Sequence, residues 1–270
     1  MKDKEERKIA QAEVCVVSYP KSGRTWMRVL LGKALCEQYG LDEQLIFDEL
    51  ELAAAAGLPP MCYTHDDAID GQNGHYKTLE TDKARYENKK VIFLVRDPRD
   101  VAVSCYFHAS KRRDLYGGAI SDFIRDDCFG LRKIVTFYNI WHANRRVPKA
   151  FLVLRYEEMH ADPAKSLGLA LNFIGAPPSE EAIITRAVEY ARFDNMKKME
   201  ESGYFISEKM RPGKPGDEDS YKVRRGKVGG YADYLSPEDC QYLDHVLHEL
   251  DCAFFPLDPR RSDLAIPQEI

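Results

Sequence analysis

Between residues 16 and 31 the chain reads VVSYPKSGRTWMRVLL. An apolar, β-branched segment runs into Lys21, Ser22, Gly23, Arg24 and Thr25, and then into an amphipathic run led by Trp26. A strand, a tight loop and a helix start in that order make an anion site. The free N–H groups of the first helical turn face the loop, and the helix dipole favours negative charge there. Gly23 lets the backbone come close to a ligand. Lys21 supplies a point charge, and Ser22 and Thr25 supply hydroxyl donors. A plain strand-to-helix turn accounts for neither the glycine nor the crowd of donors. A nucleoside triphosphatase loop needs G-x-x-x-x-G-K-[ST], with lysine after the second glycine. Here the lysine precedes the only glycine, so that pattern fails.

A second segment, FLVRDPRDVAVSCYFH (93–108), has an apolar strand ending at Arg96. Asp97 and Pro98 fit a helix start, and Ser104 lies two turns further on. Open α/β sheets bind ligands at the C-terminal ends of their strands, and an arginine there can grip a phosphate bidentately. The structural alternative is an ion pair with Asp97 or Asp100. A magnesium-dependent phosphotransferase would use Asp97 as metal ligand, but Arg96 beside it opposes a cation. Proton abstraction calls for a histidine, whose ordinary pKa of about 6.5 leaves it mostly neutral at physiological pH. By residue pattern alone His65, His108 and His142 are equal candidates.

The elements that must position these groups follow from hydrophobic pattern. VCVVS (14–18), VIFLV (91–95) and AFLVL (150–154) read as buried strands. Residues 26–39 read as a helix stopped by Gly40. Asp162 and Pro163 open a helix that ends at Gly175, Ser179 opens another, and Ser236 with Asp239 forms a capping box. Alternating strands and helices predict a single α/β domain over residues 13–270, with a mostly parallel central sheet flanked by helices. Residues 1–12 read as a solvated leader. The Gly-, Pro- and charge-rich stretch 201–222 is too long for an ordinary connector and reads as a mobile lid loop.

Bulk properties narrow the function. The 270 residues carry a net charge of −5, and the pI is about 5.9. That argues against nucleic-acid binding through bulk charge. No apolar run approaches the roughly 20 residues of a membrane span. Seven cysteines without a C-x-x-C pair read as reduced thiols in a cytoplasmic protein, with no zinc site.

Together the motifs resemble a known family. YPKSGRTW is similar to the 5′-phosphosulfate loop, Y-P-K-S-G-T-T-W, of the sulfotransferases that use 3′-phosphoadenosine 5′-phosphosulfate (PAPS). RDPRDVAVSCYFH resembles their 3′-phosphate segment, and LRYEEM (154–159), RFDNMKK (192–198) and VRRGKVGGY (223–231) resemble later segments in the family's order. The resemblance spans residues 14 to about 250 and is nearest to the soluble branch. It implies a P-loop-like phosphosulfate loop and transfer of a sulfonate from PAPS to an acceptor hydroxyl or amine, with release of 3′,5′-ADP and no metal. Lys21, Ser22, Gly23, Arg24 and Thr25 would hold the 5′ end. Arg96, Ser104, Arg224, Arg225 and Gly226 would hold the 3′-phosphate, and Trp26, Tyr156, Phe193 and Met196 would flank adenine. His65, in MCYTHDDAID, resembles the family's catalytic histidine, with Asp66 or Asp67 to orient it and Lys21 to stabilise the leaving oxygen.

Four positions depart from the family pattern. Tyr63 stands two residues before His65, where the family has lysine. Arg24 replaces a threonine, and Arg225 and Tyr231 replace a lysine and a tryptophan. The acceptor, a small molecule or carbohydrate, would be shaped by residues 41–80, 105–118, 137–142 and 201–222. A phosphotransferase using ATP and magnesium and a non-catalytic nucleotide-binding protein are the alternatives. Oligomeric state is left open.

Overall fold

The structure, a computed structural model, describes residues 2–68, 74–214 and 216–255. Strands β1 (Val14–Ser18), β2 (Met61–Thr64), β3 (Lys90–Val95) and β4 (Ala150–Arg155) form one parallel sheet in the order β2-β1-β3-β4. The three expected strands are present. The fourth, β2, has four residues and no long apolar run to announce it, yet all four are buried. Helices α1 (Lys2–Gln11), α2 (Arg24–Tyr39), α3 (Glu49–Ala55), α4 (Pro98–Phe107), α5 (Ile120–Arg125), α6 (Leu131–Ala143), α7 (Tyr156–Ala161), α8 (Pro163–Ile174), α9 (Glu181–Tyr190), α10 (Phe193–Ser202) and α11 (Pro237–Glu249) surround it.

Both sheet faces are covered, so the strands read as continuous apolar runs rather than alternating ones. Val14, Val16, Ile92, Leu94, Leu152 and Leu154 pack with α2, α3, α8 and α9. Cys15, Val17, Val91, Phe93 and Val95 pack with α4, α6 and α11. Helix ends follow local chemistry. The carboxylates of Asp97 and Asp162 accept the N–H groups of Arg99 and Lys165, and Ser236 accepts that of Asp239. Gly40 and Gly175 end their helices in the left-handed conformation.

Three expectations need correction. Ser179 does not cap α9, which starts after Glu180; the Ser179 hydroxyl bonds Gln38 instead. The N-terminal residues are not a solvated leader. Helix α1 lays Ile9 in the core, and the Glu5 carboxylate accepts the Thr64 hydroxyl and the His65 N–H. The aromatic run 137–142 does not face an acceptor: Phe137, Tyr138 and Trp141 lie on the buried side of α6. Segment 201–222 is fastened at intervals by Phe205, Met210, Ser220 and Tyr221, all buried.

The chain passes from β1 to β2 on one side and then crosses back past β1 to β3 on the other. The C-terminal edge of the sheet therefore opens between β1 and β3, where ligands bind in such folds. Lys21, His65, Arg96 and Tyr156 follow the ends of β1, β2, β3 and β4 in turn.

Candidate active site

The loop after β1 turns sharply. Lys21 has φ 70° and Gly23 has φ 94°, both in the left-handed region that few residues other than glycine adopt. A Cβ on Gly23 would sit 2.7 Å from Cδ2 of Tyr156, so close approach to that ring demands the glycine. Lys21 and Thr25 line a cleft of about 840 Å³. Ser22 does not: its side chain is buried and bonds the Tyr138 hydroxyl at 3.2 Å. The expected hydroxyl donor at this position is thus spent in the core. The Tyr138 hydroxyl donates to the Arg96 carbonyl at 3.0 Å and accepts the Arg96 N–H at 3.1 Å. A carbonyl only accepts, so Tyr138's single proton goes to Arg96 and Ser22 must be the donor of its own bond. One buried phenol therefore ties the β1 loop to the end of β3.

Arg96 lies over the Tyr156 ring at 4.3 Å, and its guanidinium donates to the Lys227 carbonyl at 2.9 Å. Its ion partner is Asp100, at 3.5 Å, while Asp97 pairs with Arg99. Asp100 also accepts the N–H groups of Gly229 and Tyr231, both at 2.9 Å, and so clamps the 223–231 segment onto α4. Arg224 is held over the Phe107 ring at 4.0 Å and the Tyr234 ring at 5.0 Å. Arg225 is exposed at the rim, and a Cβ on Gly226 would sit 2.7 Å from Cδ2 of Phe193. Arg96, Ser104, Arg224, Arg225 and Gly226 all line the cleft, as do Trp26, Tyr156, Phe193 and Met196. Trp26 packs edge-on to Tyr156 with ring centroids 5.5 Å apart.

His65 joins the same cleft from the end of β2. Its Nδ1 is 2.8 Å from the Ser18 carbonyl, which fixes the proton on Nδ1 and leaves Nε2 with a lone pair when the ring is neutral. Burial holds its pKa well below the ordinary value, and Arg24, Arg28 and Lys222 reinforce that. Neither Asp66 nor Asp67 orients the ring. Both adopt positive φ, and Asp66 turns inward to Lys83 at 2.8 Å, the Tyr86 hydroxyl at 2.8 Å and the Trp141 indole at 2.9 Å. Tyr63 is buried in β2 with Arg28 stacked on its ring at 4.3 Å, so it brings nothing to the cleft.

The cations in this cleft are crowded. Burial pushes Lys21 down to about 8, and Arg112 and Arg96 add to the shift. Lys222, also in the lining, falls to about 7 for the same reasons. His108 falls to about 3 through burial and the nearby Lys21 and Arg112, and its buried Nδ1 has no hydrogen-bond partner among the described residues. A site with this excess of positive charge, anion-binding backbone at a helix start and a neutral imidazole suits transfer of a group between anionic centres. Residue patterns did not single out Tyr138 or Lys222, whereas Asp100, four residues after Arg96, was readable as its ion partner.

A parallel sheet that carries a phosphate-type loop after β1 and a second cationic site after β3 defines a nucleotide-dependent group transferase. The sulfotransferase domain model matches residues 11–251, and the chain belongs to the sulfotransferase family. It is similar to a flavonol 3-sulfotransferase of Flaveria bidentis, with 25% identity covering 88% of this chain and 81% of that protein. It is also similar to cytosolic sulfotransferase 16 of Arabidopsis thaliana, with 26% identity over 87% of this chain and 74% of that protein. Among solved structures, a mouse sulfotransferase complexed with PAP shares the fold at TM-score 0.60 and 22% identity, covering 89% of this chain and 84% of that one. Retinol dehydratase in a complex with retinol and PAP aligns at TM-score 0.62 and 20% identity, over 88% and 80% of the two chains. The reaction is transfer of a sulfonate from PAPS, and the alternatives based on ATP or on binding alone are not favoured. Among the described residues no helix is long and apolar enough to cross a membrane.

Proposed function

We propose that PAPS lies along the C-terminal edge of the sheet and that His65 removes the proton of a small-molecule acceptor hydroxyl. The 5′-phosphosulfate faces Lys21, Thr25 and the first N–H groups of α2, where the helix dipole and a buried ammonium oppose its charge. The 3′-phosphate faces Arg96, Ser104, Arg224 and Arg225. Adenine is flanked by Trp26, Tyr156, Phe193 and Met196. The acceptor oxygen attacks sulfur in line as its proton moves to Nε2 of His65. The S–O bond to the 5′-phosphate breaks, and Lys21 stabilises the charge left on the bridging oxygen. The observation that carries this reading is the pairing of His65 Nδ1 with the Ser18 carbonyl, because it aims a basic nitrogen at the edge occupied by the Lys21 loop. A small-molecule acceptor agrees with the flavonol acceptors named in two similar proteins. A cytoplasmic location agrees with the cytosolic names of others.

The test is label transfer from radioactive PAPS across phenols, alcohols, sugars and amines, with wild type and His65→Ala. Wild type labels at least one class. His65→Ala loses about 10²–10⁴-fold in turnover while its affinity for 3′,5′-ADP stays within a few-fold. Near-normal turnover in that variant would move the base to another residue, with His108 next to be tested.

A further inference from the structure

The proposed cofactor contacts leave part of the cleft unused. Its aromatic lining residues are all engaged on the nucleotide side: Tyr156 under Arg96, Trp26 against Tyr156, Phe193 against Gly226, Tyr234 against Arg224 and Tyr231 against Arg99. Arg24 and Lys222 act on the His65 ring, and the remaining lining of the cleft includes Pro20, His108, Arg112 and Glu208. No ring is free there, among the described residues, to stack on a flat apolar acceptor. A small side cavity behind Pro20 and His108, lined by Tyr19, Leu115, Phe123 and Phe129, holds about 30 Å³. That is room for a water or two and not for an aromatic ring.

The cations in this part are only partly balanced: Glu5 and Glu49 act on Arg24 from a distance, Glu200 pairs with Arg112, and Glu208 lines the same cleft. Arg112 is occupied, donating to Glu200 and to the carbonyls of Ser220 and Arg211. Among the described residues the Lys222 ammonium donates only to the Lys209 carbonyl, a neutral partner. No ion pair or side-chain hydrogen bond of Arg24 is found among the described residues, and Arg24 and Lys222 act electrostatically on His65 and on one another. Lys222 ends the 201–222 segment and is fixed in place from both sides. Its own N–H and that of Val223 donate to the fully buried Glu200 carboxylate at 2.8 and 2.9 Å. A desolvated cation without a paired negative charge is costly, and an arriving anion removes that cost.

We infer that the acceptor is a hydroxyl compound carrying its own oxyanion, a carboxylate or a phosphate or sulfate ester, held beside His65 by Lys222 and by Arg24, which then serves this anion rather than the 5′-phosphosulfate expected from the sequence. This rests on the reading that PAPS occupies the rest of the cleft. The chemistry balances without further reactants. The acceptor's O–H proton passes to His65, the acceptor O–S bond forms, the S–O bond to the 5′-phosphate breaks, and 3′,5′-ADP leaves with the electron pair.

The experiment compares matched acceptors with labelled PAPS: a hydroxybenzoate against its methyl ester, and a hexose phosphate against the free hexose. The expected result is kcat/KM at least about tenfold higher for the anionic member of one pair, and the pair that responds tells carboxylate from phosphate ester. Lys222→Met should bring the ratio towards one by raising KM for the anionic member, and Lys222→Arg should keep the preference. Arg24→Gln gives the same readout if Lys222→Met does not fold. Neutral members used as well as their anionic partners would overturn the inference. So would an equal loss of kcat for both members in Lys222→Met, which would place Lys222 on the transferring sulfonate. Failure of 3′,5′-ADP to bind is a separate outcome and would overturn the PAPS reading along with the inference.

Discussion

His65 is defined by two contacts, a carbonyl on Nδ1 and a cluster of cations around the ring. Burial, reinforced by the cations, lowers its pKa, so the empty protein should hold His65 neutral well below pH 6.5. Binding 3′,5′-ADP adds phosphate charge to the cleft and should move the titration back upward. An NMR titration of the ring checks both, and a midpoint at or above 6.5 in the empty protein would contradict the account. His108 adds a stability effect of known sign. Its pKa is near 3 when folded against about 6.5 unfolded, so the unfolded state binds more protons between those values. Stability is full above 6.5 and falls as pH drops toward 3. His108→Gln should flatten that fall in urea midpoints measured from pH 7 to 4; an unchanged slope would count against it. Lys21→Ala should weaken 3′,5′-ADP binding and also lower turnover, because the ammonium meets the phosphosulfate before and during transfer. At this scale the sequence was partly readable. Lys21 and Arg96 stood out by charge beside a glycine and at a strand end. Nothing near His65 announced its partner, because Ser18 is 47 residues away and meets it only through the pairing of β1 with β2.

Among the elements, α6 is where sequence and structure part most. Its aromatic run looked like an acceptor wall, yet Ile134, Phe137, Tyr138 and Trp141 fall at helical spacing on one buried face. Tyr138 then acts as a pin between the loop after β1 and the end of β3. Tyr138→Phe keeps the packing and leaves Ser22 and both backbone groups of Arg96 without that partner. It should cost about 1–3 kcal/mol of stability and weaken 3′,5′-ADP binding, because both anion sites are registered through the lost hydroxyl. Denaturant midpoints and calorimetric titration measure the two effects; a variant equal to wild type in both would show that the pin is dispensable. The long strands were legible because burial on both faces leaves uninterrupted apolar runs. Strand β2 was not, since four residues including Tyr63 and Thr64 carry too little pattern.

For the molecule as a whole, the sheet edge assembles groups from across the chain, and only the order of motifs made that assembly readable beforehand. Segment 201–222 contributes Glu208 and Lys222 to the cleft lining. Phe205 and Met210 hold its first half, and Ser220 and Tyr221 hold its end, while no residue of 211–214 or 216–219 is buried. Hydrogen exchange there should be fast in the empty protein and slow on adding 3′,5′-ADP; strong protection without ligand would end the lid proposal. The central claim is that this edge holds two anions of a single adenosine nucleotide, one by the Lys21 loop and one by Arg96 and Arg224. Thermal stability with 3′,5′-ADP, 5′-AMP and ATP with magnesium tests it most directly. At a hundred times its dissociation constant, 3′,5′-ADP should add about 2.7 kcal/mol, with far smaller shifts from the other two at equal concentration. Equal shifts from 5′-AMP and 3′,5′-ADP would contradict it, because the 3′-phosphate would then have no site of its own.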